Sequence, residues 1–215
     1  AHRDLHSFPT RRSSDLGPGM KKILWIDTET TGLEPGRHGI IQVAGHVEID
    51  GVIIDSFKFH MRPLIGTAIE QEALDVHGYS IDQIENFPDP IIVKIQLTEI
   101  FDRHVNKFDR GDKFIIAGMR TDFDFNMMKV FWEKMGDKYF GSYVDFSTKI
   151  DLLPLINILR AMNIIELENA KLETISKYFG VEIQAHDALS DITATREVFY
   201  KVVNKYIKVV EDNGK

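Results

Sequence analysis

Three strand-like segments come before the first helical pattern, and this order limits the folds open to the chain. Residues 21–27 are a short run of mainly β-branched and aromatic side chains, and residues 39–49 and 52–61 form two more such runs. Asp50 and Gly51 join the second run to the third, and Asp-Gly between such runs predicts a β-hairpin. The sheet is therefore expected to begin with antiparallel strands.

Strands and helices alternate in the rest of the chain. Periodicity predicts helices at 70–77, 80–85 and 90–107, a strand at 113–118, a helix at 123–135 and a short edge strand at 143–145. Three further helices are predicted at 151–162, 172–179 and 188–210. Strands first, with strand–helix alternation afterwards, predict an α/β fold in which helices pack on the faces of a mixed five-stranded sheet.

Residues 1–19 fit neither a strand nor a helix pattern. The stretch 6–16 resembles translated sequencing-adaptor DNA and Met20 follows shortly after it, so we expect residues 1–19 to be a non-native tail. The alternative, a basic targeting arm, requires an amphipathic Arg-rich helix, which Pro9 opposes. Since no repeat or linker divides residues 20–215, we expect these to form one domain.

Composition narrows the chemistry. Because the chain has Cys 0, any metal would be held by oxygen or imidazole ligands, which favours Mg²⁺ or Mn²⁺. The formal net charge of −7 argues against holding nucleic acid by bulk electrostatics, unless bound cations reverse the charge locally. No apolar run approaches the roughly 20 residues that cross a bilayer, and no signal peptide follows Met20, so a cytoplasmic location is expected.

The first candidate site is the string DTETTG at residues 27–32, at the end of the first predicted strand. Side chains two residues apart on a strand share one face, so Asp27 and Glu29 project together. Two carboxylates in one small volume repel each other unless a cation lies between them, which predicts a metal site. An isolated Asp-x-Glu pair is more often an ordinary acidic turn, but the full string is far rarer by chance.

The second candidate site is the string AGMRTDFD at residues 117–124. A strand is predicted to end at Gly118 and a helix to begin near Asp122 or Phe123, which places Asp124 in a first helical turn. Both carboxylates could simply cap this helix and complement its dipole, and for Asp122 capping is the expected role.

The third candidate site is the string HDALSD at residues 186–191, directly before the long C-terminal helix. Asp187 fits an N-cap, so His186 is expected on the preceding loop and Asp191 about one turn into the helix. The other seven of the 8 His, including His77, are interpreted as incidental. His186 differs because an imidazole beside a metal-binding carboxylate can take a proton from metal-bound water near neutral pH.

In this order, the three strings resemble the motifs of the DEDDh 3′-to-5′ exonucleases, the group that includes the proofreading subunit of bacterial DNA polymerase III. Segments 72–78 and 171–180 also resemble family segments, so the resemblance covers nearly all of residues 20–215. It implies a ribonuclease-H-like fold. It also implies two divalent cations, Mg²⁺ or Mn²⁺, held by four carboxylates: Asp27, Glu29, Asp124 and Asp191.

The resemblance further implies how the remaining site residues divide the work. His186 would accept the proton of the attacking water, and the backbone of Thr30 and Thr31 and the side chain of Leu33 would hold the terminal nucleotide. Two positions depart from the family pattern: Arg120 replaces a frequent Asn, and Gln42 replaces a frequent Glu. Neither is a metal ligand in the family, so activity is expected to survive, and Arg120 could contact phosphate.

The implied activity is hydrolysis of single-stranded DNA from its 3′ end to nucleoside 5′-monophosphates. The nearest alternative is a 3′-to-5′ exoribonuclease or oligoribonuclease-like enzyme, because contacts to the 2′-hydroxyl cannot be placed from the sequence. An alternative from another class is a non-catalytic polymerase-binding module that has kept the fold. A DNA polymerase partner stays open, since residues 211–215 form a short polar tail without an obvious clamp-binding segment.

Overall fold

The computed structural model describes residues 21–184 and 186–207, which contain a mixed five-stranded sheet. Its strands are β1 (Lys22–Thr30), β2 (Ile40–Ile49), β3 (Val52–His60), β4 (Phe114–Gly118) and β5 (Val144–Asp151). Their order across the sheet is β3-β2-β1-β4-β5. The first three strands pair antiparallel, whereas β4 pairs parallel with β1 and β5. The predicted α/β class and mixed sheet are confirmed.

The described ranges hold seven α-helices. They are α1 (Gln71–His77), α2 (Ile81–Glu85), α3 (Pro90–His104), α4 (Thr121–Lys134), α5 (Leu152–Ala161), α6 (Leu172–Phe179) and α7 (Ala188–Val202). A π-helical turn, Val203–Ile207, follows α7, so the α-helix ends earlier than predicted. The predicted non-native tail (1–19), the last residues of the helix predicted to end at 210 and the predicted polar tail (211–215) lie outside the described residues. Among the described helices, none is both long enough and apolar enough to cross a membrane.

The two faces of β1 pack against different helices. Leu24 and Ile26 belong to the larger hydrophobic core, which α3 and α4 complete. Trp25 points to the opposite face, where its ring lies edge-on to Phe199 of α7 at 5.3 Å. This places helices on both faces, as predicted.

The turn between β2 and β3 has the expected conformation. Asp50 and Gly51 have φ values of 50° and 82°, and Ile49 pairs directly with Val52. Two left-handed residues match the twist of the flanking strands, which is why Asp-Gly predicts such a hairpin.

The edge strand β5 is longer than the predicted 143–145. Phe114 of β4 pairs with Val144, and Ile116, two residues later, pairs with Lys149, which is five residues later in β5. The extra residues of β5 therefore bulge out of the regular pairing. Within this bulge, Asp145 accepts hydrogen bonds from the backbone N–H and the hydroxyl of Ser147. This local turn hides the strand pattern in the sequence. The strand then resumes and brings Asp151 opposite Gly118.

Candidate active site

β1 carries Asp27 and Glu29 on the face that α7 covers. Asp27 lies opposite Ala44 and Glu29 opposite Gln42 of β2, and the register shifts only after Glu29. The strand runs on to Thr30, three residues further than predicted. Regular pairing up to Glu29 therefore holds both carboxylates on one face.

Asp124 joins this pair from the first turn of α4. Its Oδ1 accepts hydrogen bonds from the backbone N–H of Thr28 at 2.9 Å and from the Thr28 hydroxyl at 2.7 Å. The side chain is 2% exposed. Thr28 lies between Asp27 and Glu29 in β1, and its two hydrogen bonds hold Asp124 next to this part of the strand.

The start of α4 differs from its predicted form. The N-cap is Arg120, whose φ of 59° and ψ of 45° are left-handed, and the helix begins at Thr121. The carboxylate of Asp151 accepts hydrogen bonds from the backbone N–H groups of Arg120 and Thr121, each at 3.0 Å. The prediction that Asp122 caps the helix is wrong. Asp122 already lies inside the first turn, and its exposed carboxylate pairs with Lys149 at 2.6 Å.

The N-terminus of α7 brings in His186 and Asp191. Asp187 is the N-cap, as predicted, and its side chain accepts a hydrogen bond from the Ser190 backbone N–H at 3.1 Å. His186 has a left-handed φ of 64°, and its backbone N–H donates to Asp191 Oδ2 at 3.2 Å. Ligand atoms of Glu29, His186 and Asp191 all lie within 4.8 Å of one another.

The His186 ring is half-exposed and faces α6. Its Nε2 lies 3.6 Å from Glu173 Oε1, an acidic partner that the three motifs do not contain. The ring is close enough to Glu29 and Asp191 to act either as a proton acceptor or as a ligand. Geometry alone therefore allows both roles.

Burial raises the pKa of all four carboxyl groups, and repulsion from the other site carboxylates adds to the rise for Asp27 and Glu29. Burial, followed by the charge of Asp124, raises the pKa of Asp27 well above its usual value. Burial, reinforced by Asp191 and Asp124, raises the pKa of Glu29 to about 7. Burial also raises the pKa of Asp124 to about 7, against the opposing hydrogen bonds from Thr28, and that of Asp191 to about 6. Four like charges this close need a counter-charge to be ionised together.

The donor set fits a divalent cation. Asp191 Oδ1 is buried and has no hydrogen-bond partner among the residues that the structure describes. A buried carboxylate oxygen without a donor is costly, and a cation would satisfy it. Carboxylate oxygens are the donors that Mg²⁺ and Mn²⁺ prefer. The metal roles of Asp27, Glu29, Asp124 and Asp191 stay predictions, with which this geometry agrees.

The predicted nucleotide-holding residues lie beside this cluster but differ in availability. The Thr31 backbone N–H donates to Gly39 O at 2.9 Å and its carbonyl accepts from the Glu70 N–H at 2.8 Å, so its backbone donor is already used. Thr30 donates its hydroxyl to Gly32 O at 2.8 Å. Leu33 is 77% exposed. The side chains of Leu33 and Arg120 remain accessible. The substrate roles of Thr30, Thr31, Leu33 and Arg120 stay predictions.

Gly32 serves this segment through its lack of a side chain. A Cβ at Gly32 would lie 2.5 Å from the His38 ring, so only glycine lets the ring pack here. The His38 ring in turn accepts a hydrogen bond from the Glu34 backbone N–H at 2.9 Å. The glycine of the first motif therefore shapes the loop that carries Leu33.

His77, interpreted from the sequence as incidental, is a buried residue at the end of α1. Its Nδ1 accepts a hydrogen bond from the Tyr79 backbone N–H at 3.1 Å, while its buried Nε2 has no hydrogen-bond partner within the described ranges. Burial and then the nearby charge of His186 lower the pKa of His77. His77 therefore lies close enough to His186 for their charges to interact, and it belongs to segment 72–78.

Comparisons with known proteins agree with this geometry. The family model RNase_T, described as Exonuclease, matches residues 24–199. A PolC-type DNA polymerase III from Thermotoga petrophila is 24% identical over 86% of this chain, and ribonuclease T from Buchnera aphidicola is 26% identical over 84%. The chain spans 12% of that polymerase but 83% of that ribonuclease.

Solved structures show the same fold. E. coli Exonuclease I in complex with a dT13 oligonucleotide superposes with a TM-score of 0.71 at 20% identity, covering 86% of this chain and 41% of that one. Exonuclease I from Methylocaldum szegediense gives a TM-score of 0.71 at 20% identity, covering 87% and 41%. With a family match over well more than half of its residues, this chain belongs to the exonuclease family, as its motifs predicted.

Proposed function

We propose that this chain is a metal-dependent 3′-to-5′ exonuclease that releases nucleoside 5′-monophosphates from single-stranded ends, with DNA as its preferred substrate. One observation carries the proposal: three separate segments bring Asp27, Glu29, Asp124 and Asp191 together next to His186. The neighbouring fold of Exonuclease I, which was crystallised with a dT13 oligonucleotide, supports a single-stranded substrate.

The four carboxylates are proposed to hold two divalent cations, Mg²⁺ or Mn²⁺. When bound, the cations lower the pKa of a water molecule and stabilise charge on the scissile phosphate and leaving oxygen. The chain's own contribution is placement. Thr28 fixes Asp124 through two hydrogen bonds, and the His186 N–H holds Asp191 Oδ2. A negatively charged chain can then hold a polyanion where the charge is locally reversed.

His186 is proposed to accept the proton of the attacking water. The half-exposed ring stands beside Glu29 and Asp191 and can therefore reach solvent and substrate together. Glu173 Oε1, 3.6 Å from Nε2, can orient the ring and stabilise its protonated form. A general base must lie within hydrogen-bonding distance of the proton that it accepts, and it needs a neighbour that stabilises its protonated form. The position of His186 beside Glu173 agrees with both requirements.

Substrate contacts are proposed for residues at the rim. The exposed side chain of Leu33 offers an apolar surface to the terminal nucleotide, beside Thr30. Arg120, exposed at the left-handed start of α4, carries a guanidinium that can bind phosphate. Contacts to the phosphate backbone and to the faces of the bases do not depend strongly on the nucleotide sequence.

Hydrolysis of RNA is the second candidate. It is favoured by the match to ribonuclease T, of which this chain spans 83%. A polymerase partner is a further proposal, supported by the PolC-type relatives, although the chain corresponds to only 12% of the first of them. A cytoplasmic location stays a prediction.

The activity test uses 5′-labelled single-stranded DNA and RNA oligonucleotides with Mg²⁺ or Mn²⁺, and EDTA as a blank. A ladder that shortens from the 3′ end is expected, faster on DNA. Asp124→Ala is expected to lower the rate by more than about 100-fold, since even partners of metal ligands cost 10–100-fold. Asp122→Ala is the matched control, because its exposed carboxylate sits two residues earlier and pairs with Lys149.

The outcomes separate the candidates. Faster shortening of RNA would replace the DNA assignment by the exoribonuclease one. If neither strand is shortened, or if Asp124→Ala equals the Asp122→Ala control, the catalytic proposal fails and a non-catalytic binding module becomes the better reading.

A second experiment assigns His186. His186→Ala is expected to lower the rate by about 100-fold or more, the usual contribution of a general base, while Mn²⁺ affinity measured by calorimetry persists. Loss of Mn²⁺ affinity in a folded His186→Ala protein would make His186 a ligand instead.

A further inference from the structure

The three antiparallel strands align a row of polar side chains beside the active site. Glu29 of β1 lies directly opposite Gln42 of β2, and Gln42 lies opposite His60 of β3. Directly opposed residues share one face of a sheet. Gln42 is therefore the side-chain neighbour of a predicted metal ligand, on the face that α7 covers.

The Gln42 carboxamide joins three segments of the chain. It is 0% exposed, and its Oε1 accepts a hydrogen bond from the Ala188 backbone N–H at 2.8 Å. Its Nε2 donates to Tyr79 Oη at 2.8 Å and lies 2.6 Å from His60 Nε2. Because the Ala188 N–H can only donate, it dictates which end of the amide faces α7.

Ala188 is the first residue of α7, and this makes its contact informative. The first N–H groups of a helix have no partner inside the helix. At Ala188, Gln42 supplies that partner from across the sheet. Ala188 lies two residues after His186 and three before Asp191. The bond to Gln42 therefore fixes the position of both residues relative to the sheet.

We infer that Gln42 is a positioning residue for catalysis, which sets the N-terminus of α7 against β1 so that His186 and Asp191 meet Glu29. This inference rests on the proposed nuclease function. It extends to a residue that ligates no metal and that differs from the Glu frequent in the family.

Two other contacts join the sheet to α7, one at its N-cap and one further along the helix. Lys58 of β3 pairs with Asp187, and His46 Nε2 lies 2.8 Å from Thr193 Oγ1. The Thr193 contact comes more than a turn later in α7, next to neither His186 nor Asp191. It therefore supplies a matched control for a generic loss of one sheet–helix hydrogen bond.

The amide suits its place better than a carboxylate would. A carboxamide accepts from Ala188 and donates to Tyr79 and His60 at once, whereas an ionised carboxylate only accepts. A Glu at this position would also add negative charge opposite Glu29. A neutral side chain therefore holds the three segments without further repulsion.

The test compares Gln42→Met, which keeps the volume and removes both polar ends, with Gln42→Glu, which keeps the acceptor for Ala188. Thr193→Val is the control. In Gln42→Met, kcat on single-stranded DNA with saturating Mn²⁺ is expected to fall about 10–100-fold, as for other residues that orient metal ligands. KM is expected to change less than about 3-fold, because the substitution does not alter Leu33 or the other proposed substrate contacts. Thr193→Val is expected to keep its kcat.

Hydrogen exchange at the Ala188 amide, followed by NMR, supplies a readout independent of activity. Its protection is expected to disappear in Gln42→Met, to persist in Gln42→Glu and Thr193→Val, and to leave the amides of later α7 turns unchanged. If Ala188 stays protected in Gln42→Met, or if Gln42→Met and Thr193→Val lose equal activity, the inference is overturned.

A wild-type protein without nuclease activity would refute the proposed function rather than the positioning contact. In that case the Ala188 exchange comparison still decides whether Gln42 holds α7. Loss of protection in Gln42→Met supports the contact, and unchanged protection rejects it.

Discussion

Replacing Glu29 by Gln is expected to stabilise the cation-free protein at about pH 8 although it removes a predicted metal ligand. Burial, followed by repulsion from Asp191 and Asp124, raises the pKa of Glu29 from 4.5 to about 7. At ~1.4 kcal/mol per pH unit, ionising this group in the folded state costs about 3 kcal/mol. The side chain is 9% exposed, so solvent screens little of that cost. A neutral amide of the same shape avoids it.

The sign of the pH dependence follows from the raised pKa. Below the unfolded-state pKa of 4.5, Glu29 is protonated in both states and contributes no difference. Between 4.5 and about 7 the folded protein binds more protons than the unfolded chain, so the free energy of unfolding falls as pH rises. The advantage of Glu29→Gln over wild type therefore grows from near zero at low pH to at most about 3 kcal/mol above pH 7.

Divalent cations are expected to narrow this stability difference. A cation that binds the folded state adds about 2.7 kcal/mol of stability at a concentration 100 times its Kd. Wild type gains this in full, because the cation removes the repulsion among its carboxylates. Glu29→Gln lacks one predicted ligand and is expected to gain less, so its stability advantage over wild type shrinks when Mg²⁺ is added.

Urea denaturation between about pH 5 and pH 8, with EDTA or with Mg²⁺, measures these differences. Glu34→Gln is the control, because that carboxylate is 68% exposed and its loss should change stability by less than about 0.5 kcal/mol at every pH. A cation-free Glu29→Gln protein that is less stable than wild type at pH 8 would refute the electrostatic reasoning. So would a difference that does not grow with pH.

Two further substitutions test the scaffold around the site. Asp151→Ala removes the acceptor for the Arg120 and Thr121 N–H groups of α4 and for the Leu153 N–H group at the start of α5, and should cost about 1–2 kcal/mol in urea denaturation. Asp122→Ala should cost less than about 0.5 kcal/mol, and equal losses would reject the capping role of Asp151. Glu48→Gln should cost about 3 kcal/mol, because the buried carboxylate of Glu48 accepts from Trp25 at 2.9 Å, from Arg196 at 2.6 Å and from Tyr200. Its control is Glu197→Gln, on an exposed face of α7, and a Glu48→Gln loss no larger than the control's would show that the network contributes little.

Local sequence patterns were sufficient for much of the fold and for the choice of candidate ligands. The alternation along β1 places Asp27 and Glu29 on one face wherever the strand pairs regularly, and it does so up to Glu29. The Asp-Gly hairpin and the Asp187 N-cap were predictable for the same reason, since both depend on residues within a few positions of each other. Interactions between residues that are close in sequence can be predicted from one sequence because the local pattern contains both partners.

Features that depend on distant contacts left no such signal. The cap of α4 comes from Asp151, about thirty residues further along the chain, so the local pattern pointed to Asp122 instead. Arg120 adopts a left-handed conformation there, which an arginine side chain does not favour by itself. Likewise β5 could not be traced past Asp145, because the local turn at Ser147 interrupts a strand that only its pairing with β4 restores.

Sheet register explains why the supporting residues were the hardest to identify. Gln42 stands out in the sequence only as a departure from a family pattern, and its bond to Ala188 spans 146 positions. What makes it a neighbour of Glu29 is the alignment of three strands, in which a one-residue slip would turn its side chain to the opposite face. The motifs can therefore indicate which carboxylates are candidate metal ligands. The position of α7 against the sheet, and with it the distance from His186 to Glu29, depends on the pairing register of three strands, which no single motif contains.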